Sequence, residues 1–128
     1  MKLCILFIML FLHVVDDYYL QGILANLKQR KWWKEHASAG LYKNDYLIAL
    51  YTHAFSWSFV ITLPLLIIAF ISHYKLYFLF LTLMYIINTI IHGFVDNLKA
   101  NKLKLNLIQD QCIHYIQIFM TWGLFMLL

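Results

Sequence analysis

Four long apolar runs constrain this chain more than any other feature. They cover about residues 3–24, 46–72, 76–95 and 105–128. A helix of about 20 apolar residues crosses the hydrocarbon of a bilayer, and each run supplies that length. A backbone in lipid must satisfy its own N–H and C=O groups, so runs of this length are read as helices. The expected fold is a single all-α transmembrane domain over residues 1–128, an integral membrane four-helix bundle. Composition excludes the soluble alternative. Of the residues, 63% are hydrophobic and only 12% charged, too few charges to cover a soluble domain of this size. Pro64 falls inside the second run, where a kink is expected. The first run, "CILFIMLFL" after Lys2, looks like the core of a signal peptide. No small-residue cleavage site follows it, so it is read as a retained span.

Charge between the runs sets orientation. The first loop carries Lys28, Arg30, Lys31, Lys34 and Lys43, and the third carries Lys99, Lys102 and Lys104. The opposite side has only Lys2 and Lys75. Positive charge stays inside, which places the first and third loops in the cytoplasm and both termini outside an inner (plasma) membrane. The net charge of +4 belongs to this asymmetry, so the bilayer rather than nucleic acid is the expected partner. The stretch "KQRKWWKEH" reads as a short helix lying in the cytoplasmic interface, with Trp32, Trp33, Tyr42 and Tyr46 at the same level.

The few ionisable residues inside the runs are histidines and aspartates in pairs. His13 and Asp17 stand four apart, as do His92 and Asp96. Asp110 and His114 repeat the spacing in reverse order, and His53 opens the second run. Alternating helix direction explains the reversal, because it places every pair near the cytoplasmic end. Four residues turn a helix by about 400° and rise about 6 Å, so each pair shares one face. Gln21, Asn88 and Thr121 extend those faces, and Gly93 beside His92 permits close approach of a neighbouring helix.

Buried ionisable groups in a span are costly and face the bundle interior. A divalent cation would compensate them. Imidazole with carboxylate suits Zn or Mn. The candidate ligands are His13, Asp17, His53, His92, Asp96, Asp110 and His114, more than one tetrahedral ion needs, so two ions are expected. Paired ions serve displacement at phosphorus, and Asp17, Asp96 and Asp110 are the candidate catalytic carboxylates, any free one acting as general base. The expected function is a metal-dependent membrane hydrolase acting on a phosphoester or lipid headgroup at the cytoplasmic face. Lys99 and Lys102 would draw in a phospholipid or an anionic small molecule.

Blander readings stand beside these. The same pairs could instead serve as hydrogen-bonded packing, or as a path for protons or metal ions in a transporter, but three pairs at one depth favour metal binding. A factor acting on membranes through interaction is a further non-enzymatic reading. The outer half holds little beyond Thr62, Thr82 and Gln117, which disfavours a continuous path. Lys99 is equally one more inside-positive lysine. His36 and His73 are read as solvated, Asp45 as an interfacial cap, and Cys4 and Cys112 as small apolar residues. Asp16 lies about 60° off the His13 face and is read as a supporting or surface acid. There is no nucleophile motif, Gly-rich phosphate loop or CxxC.

Three motifs also carry a resemblance. "HVVDDYYLQ" at 13–21 resembles H-x3-D-[FY]-x-L-Q, "HGFVDNLK" at 92–99 resembles H-x3-D-x2-K, and "DQCIH" at 110–114 resembles D-Q-x2-H. In this order they resemble a small four-span membrane domain of unknown function found in bacteria and phages. The resemblance implies site positions at His13, Asp17, Gln21, His53, His92, Asp96, Lys99, Asp110, Gln111 and His114. Among these, Gln21, Lys99 and Gln111 would surround the ligands. Asp16 departs from the pattern, which favours a small residue there. More distantly the pattern is similar to the membrane-bound metal-dependent hydrolases, thought to be related to zinc-dependent phospholipase C. That likeness is an analogy of fold and implies phosphoester hydrolysis only as such.

Overall fold

The structure, a computed structural model, describes residues 2–37 and 40–128. Helix α1, Lys2–Val14, continues into a π-helical turn, Val15–Leu20. The helical run ends at Leu20 rather than near residue 24, because Gly22 takes φ +50°, a left-handed conformation glycine adopts freely. The chain then folds back through the short helices α2, Leu24–Leu27, and α3, Arg30–His36. Helix α4, Asp45–Ser72, passes Pro64 without interruption. His73 in the left-handed region turns the chain into α5, Lys75–Ala100. Helix α5 runs beyond Val95 and so carries Asp96 and Lys99 within it. Helix α6, Leu107–Leu127, starts on a capping box. There the Asn106 side chain accepts from the Gln109 N–H, and the Gln109 side chain accepts from the Asn106 N–H. Two of the donors that every helix start leaves free are satisfied in this way.

The four long helices form a ring in the order α1, α4, α5, α6, with α6 returning to α1. Short connections make consecutive long helices antiparallel. The ends of the first and last agree, since the Trp122 indole N–H donates to the Lys2 carbonyl at 3.1 Å. The Gly93 expectation has a specific form here. A Cβ at Gly93 would stand 2.7 Å from Cε1 of Tyr51, so glycine lets α4 and α5 close on each other.

Burial is inverted relative to a soluble bundle. Phe7, Phe11, Ile48, Phe55, Ile67, Phe70, Leu79 and Ile116 point outward and are exposed, while His13, His53, His92, Asp96, Asp110 and His114 are buried. Such an apolar exterior marks a surface meant for lipid. Three helical runs, Lys2–Leu20, Asp45–Ser72 and Lys75–Ala100, are long and apolar enough to cross a membrane. Helix α6, at 21 residues, would span about 31 Å. It is less apolar because its inward face carries Asp110, Gln111, His114, Gln117 and Thr121. The bundle divides along its length. Leu6, Met9, Trp57, Ile61, Leu65, Ala69, Leu81, Ile118 and Phe125 fill one part as an apolar core. The His/Asp cluster fills the other.

Candidate metal centre

Each element delivers its side chain for a local reason. The π-helical turn is wider than an α-helix and advances less around its axis per residue. Consecutive Asp16 and Asp17 therefore both reach inward, with side chains 2% and 7% exposed. Asp16 is buried, not a surface acid. Its Oδ1 accepts from the Ser56 hydroxyl at 2.9 Å, and its Oδ2 lies 3.8 Å from Nδ1 of His53. It thus stands behind His53, whose Nε2 faces the centre. The expected cap role of Asp45 takes another form: it is the first residue of α4, well placed for the positive helix start, and no side chain caps that helix. His36 and His73 are exposed, as are both cysteines.

Two sets of ligand atoms converge, and Asp96 stands between them. In the first, Nε2 of His53 lies 3.2 Å from Oδ1 of Asp17 and 3.2 Å from Nε2 of His92. The Gln21 amide donates to the same Asp17 oxygen at 3.2 Å and lies 3.1 Å from His53 Nε2. In the second set, Nε2 of His114 lies 3.4 Å from Oδ1 of Asp96 and 3.4 Å from Oδ1 of Asp110. The remaining oxygen of Asp96 reaches back to within 3.7 Å of His53 and 3.9 Å of His92. Asp17, His53 and His92, and likewise His92, Asp96 and His114, bring potential ligand atoms within 4.8 Å of one another. Buried His and Asp groups in this arrangement could hold a metal ion, and their donor chemistry suits one.

Hydrogen bonding fixes which nitrogens are available. The Gln117 amide N–H donates to the Asn88 backbone carbonyl at 3.1 Å, which can only accept. Its Oε1 therefore faces Nδ1 of His114, at 3.3 Å, and that nitrogen must carry the proton. The amide of Asn88 in turn donates to Thr121 Oγ1 at 2.9 Å. In the neutral ring Nε2 of His114 is then a lone pair aimed at two carboxylate oxygens. None of these three atoms has a hydrogen-bond partner among the described residues, although each is buried. Two carboxylate oxygens thus lie 3.4 Å from one buried imidazole nitrogen, a concentration of negative charge that a cation, metal ion or proton, would offset.

His13 is placed differently. The Trp57 indole N–H, a donor only, binds Nδ1 of His13 at 2.8 Å. Nε2 of His13 must then donate, and it meets Oε1 of Gln111 at 3.1 Å. The Gln111 amide N–H group donates to Oδ2 of Asp17 at 2.7 Å and to Oδ2 of Asp110 at 3.1 Å. Both nitrogens of His13 are thus engaged, and through Gln111 it orients two carboxylates without facing either ligand set. Trp57 does more than support His13. Its ring stacks on His92 with centroids 4.2 Å apart, and His92 stacks on His114 at 4.1 Å.

Two lysines complete the cluster. Lys99 donates to Oδ2 of Asp110 at 2.6 Å, as its position three after Asp96 allows. Lys28 donates to Oδ2 of Asp96 at 2.5 Å and is 7% exposed. Sequence reasoning assigned Lys28 to a charged loop and missed it, along with Trp57. The fold-back after Gly22 returns Lys28 to the bundle, where the Asn101 amide donates to its carbonyl at 3.0 Å and the Asn101 side-chain oxygen accepts from the Arg30 N–H at 2.7 Å. The glycine was the one signal that the first helix stops short. Lys102, on the same turn as Lys99, is exposed. No family model matches this chain, and no curated protein or solved structure matches it either.

Proposed function

We propose that this chain is a four-span membrane protein whose His/Asp cluster would hold divalent metal, Asp96 standing between the two ligand sets, and that it hydrolyses a phosphoester at the headgroup level. The observation that carries this reading is the placing of Asp96 Oδ1 and Asp110 Oδ1 each 3.4 Å from His114 Nε2, three buried atoms from two helices with no hydrogen-bond partner among the described residues. One ion would take these atoms, and a second would take Asp17 Oδ1, His53 Nε2 and His92 Nε2. Zn or Mn suits both sets. Paired ions at such a centre supply Lewis acidity for displacement at phosphorus. Among the chain's own residues, Gln111 holds two of the carboxylates in place, donating to Asp17 and Asp110. The hydrolase reading extends the distant likeness to membrane-bound metal-dependent hydrolases, an analogy of fold.

Transport is the weaker reading, because the polar ladder of His114, Gln117, Asn88 and Thr121 runs into the apolar core built on Trp57, Ile61, Leu65 and Ile118. Under the proposed orientation the lysine-bearing ends face the cytoplasm, α6 crosses beside the other three, and α3 lies in the interface. Elemental analysis of the chain purified in detergent tests the metal. The parent is expected to carry stoichiometric Zn or Mn, to lose it as an Asp96→Asn/Asp110→Asn variant, and to release product from a phospholipid only when loaded. A parent without metal would overturn the reading.

A further inference from the structure

A cavity of about 410 Å³ opens beside the cluster and reaches both Lys28 and Lys99. Its polar lining holds two ammonium groups, those of Lys28 and Lys99, against Asp17 as the one carboxylate. The amides of Gln21, Gln29 and Gln111 and the Tyr18 hydroxyl, also in the lining, can each donate or accept. Each lysine gives one hydrogen bond to one carboxylate oxygen, whereas an ammonium group has three donors. For Lys28 the shortfall is informative, since its side chain is only 9% exposed and a buried donor left unpaired is costly. Charge points the same way. The cluster holds four buried carboxylates, Asp16, Asp17, Asp96 and Asp110, and two ammonium groups. That is an excess of two negative charges with neutral histidines. Two divalent ions would turn it into an excess of two positive charges, which a dianion in the cavity would cancel.

We infer that Lys28 and Lys99 form a phosphoryl-binding subsite, in which the free ammonium donors grip a phosphate group while Asp96 and Asp110 hold the lysines from behind. The charge argument rests on the two-ion reading above; the unused lysine donors and the cavity do not. The rim beside the lysines carries Tyr18, Leu103 and Leu107, all exposed, so an acyl chain could lie next to the phosphate. A lipid phosphomonoester and free phosphate therefore share the chemistry.

Inorganic phosphate is titrated calorimetrically into the full chain in detergent, loaded with Mn, while metal content is measured alongside. Lys28→Met and Lys99→Met are each expected to weaken phosphate by about 10- to 100-fold, the value of one charge-assisted contact. Metal content should hold in both, and Lys102→Met should bind like the parent. Lys28→Arg replaces Lys28→Met if the latter does not fold, and should retain part of the affinity. Undiminished phosphate binding in the lysine variants would overturn the subsite. So would loss of metal along with the lysines, which would make them mere supports of Asp96 and Asp110. A parent that binds phosphate through these lysines but holds no metal keeps the subsite and removes the metal centre. A parent that holds metal but no phosphate does the reverse. Repeating the titration in phosphatidylcholine nanodiscs with and without phosphatidic acid decides the source: competition by phosphatidic acid assigns a lipid phosphate, and its absence a soluble one.

Discussion

Asp96 and Trp57 show how much one side chain does in this cluster. Asp96 faces both ligand sets and is the partner of Lys28. Its place was legible in the sequence because it repeats the four-residue spacing from His92. Trp57 was not legible, since a tryptophan in an apolar run reads as packing. Its role comes from a single N–H that fixes His13 in one tautomer and so sets the direction of the Gln111 amide. Trp57→Phe keeps the ring stacked on His92 but removes that donor. The variant is expected to stay folded and to lose about 10- to 100-fold in metal affinity, the usual cost of removing an orienting partner. Competition with a chelator of known affinity measures the loss. Unchanged affinity would show that the Trp57–His13–Gln111 chain orients nothing.

Among the elements, α4 and α5 depend most on close approach. Gly93 faces the ring of Tyr51, and any side chain there must displace it. Gly93→Ala is expected to destabilise the chain by about 1–3 kcal/mol, as overpacking does. Tyr51→Ala should relieve most of that cost in the double variant, because the two positions are in contact. Thermal melts of the four chains in one detergent read the coupling; additive losses would place the strain elsewhere. The sequence showed Gly93 as a point of approach but not its partner, which depends on how the two helices are rotated. The π-helical turn was equally hidden. Local pattern put Asp16 off the site face, and only the wider turn carries it in beside His53.

At the scale of the molecule, the inverted burial and the lysine-rich ends support the proposed topology, with α3 on the cytoplasmic side. A single cysteine at Lys34, in a background with Cys4 and Cys112 replaced by alanine, tests it. Labelling of intact cells by an impermeant thiol reagent should fail and should succeed after lysis; labelling of intact cells would reverse the orientation. Hydropathy alone established the long apolar helices, because helix is the form a single apolar run can take in lipid. Periodicity alone paired His with Asp at one end, because a step of four residues returns to the same face. Tertiary structure decided the rest. Packing brought Lys28 back over the centre once Gly22 ended the first helical run, separated His13 from the two ligand sets, and left two carboxylate oxygens beside one imidazole nitrogen. Most of those outcomes depend on contacts between residues 44 to 98 positions apart in the chain, which no local pattern encodes, since helix rotation and loop path are fixed only when all four helices pack together.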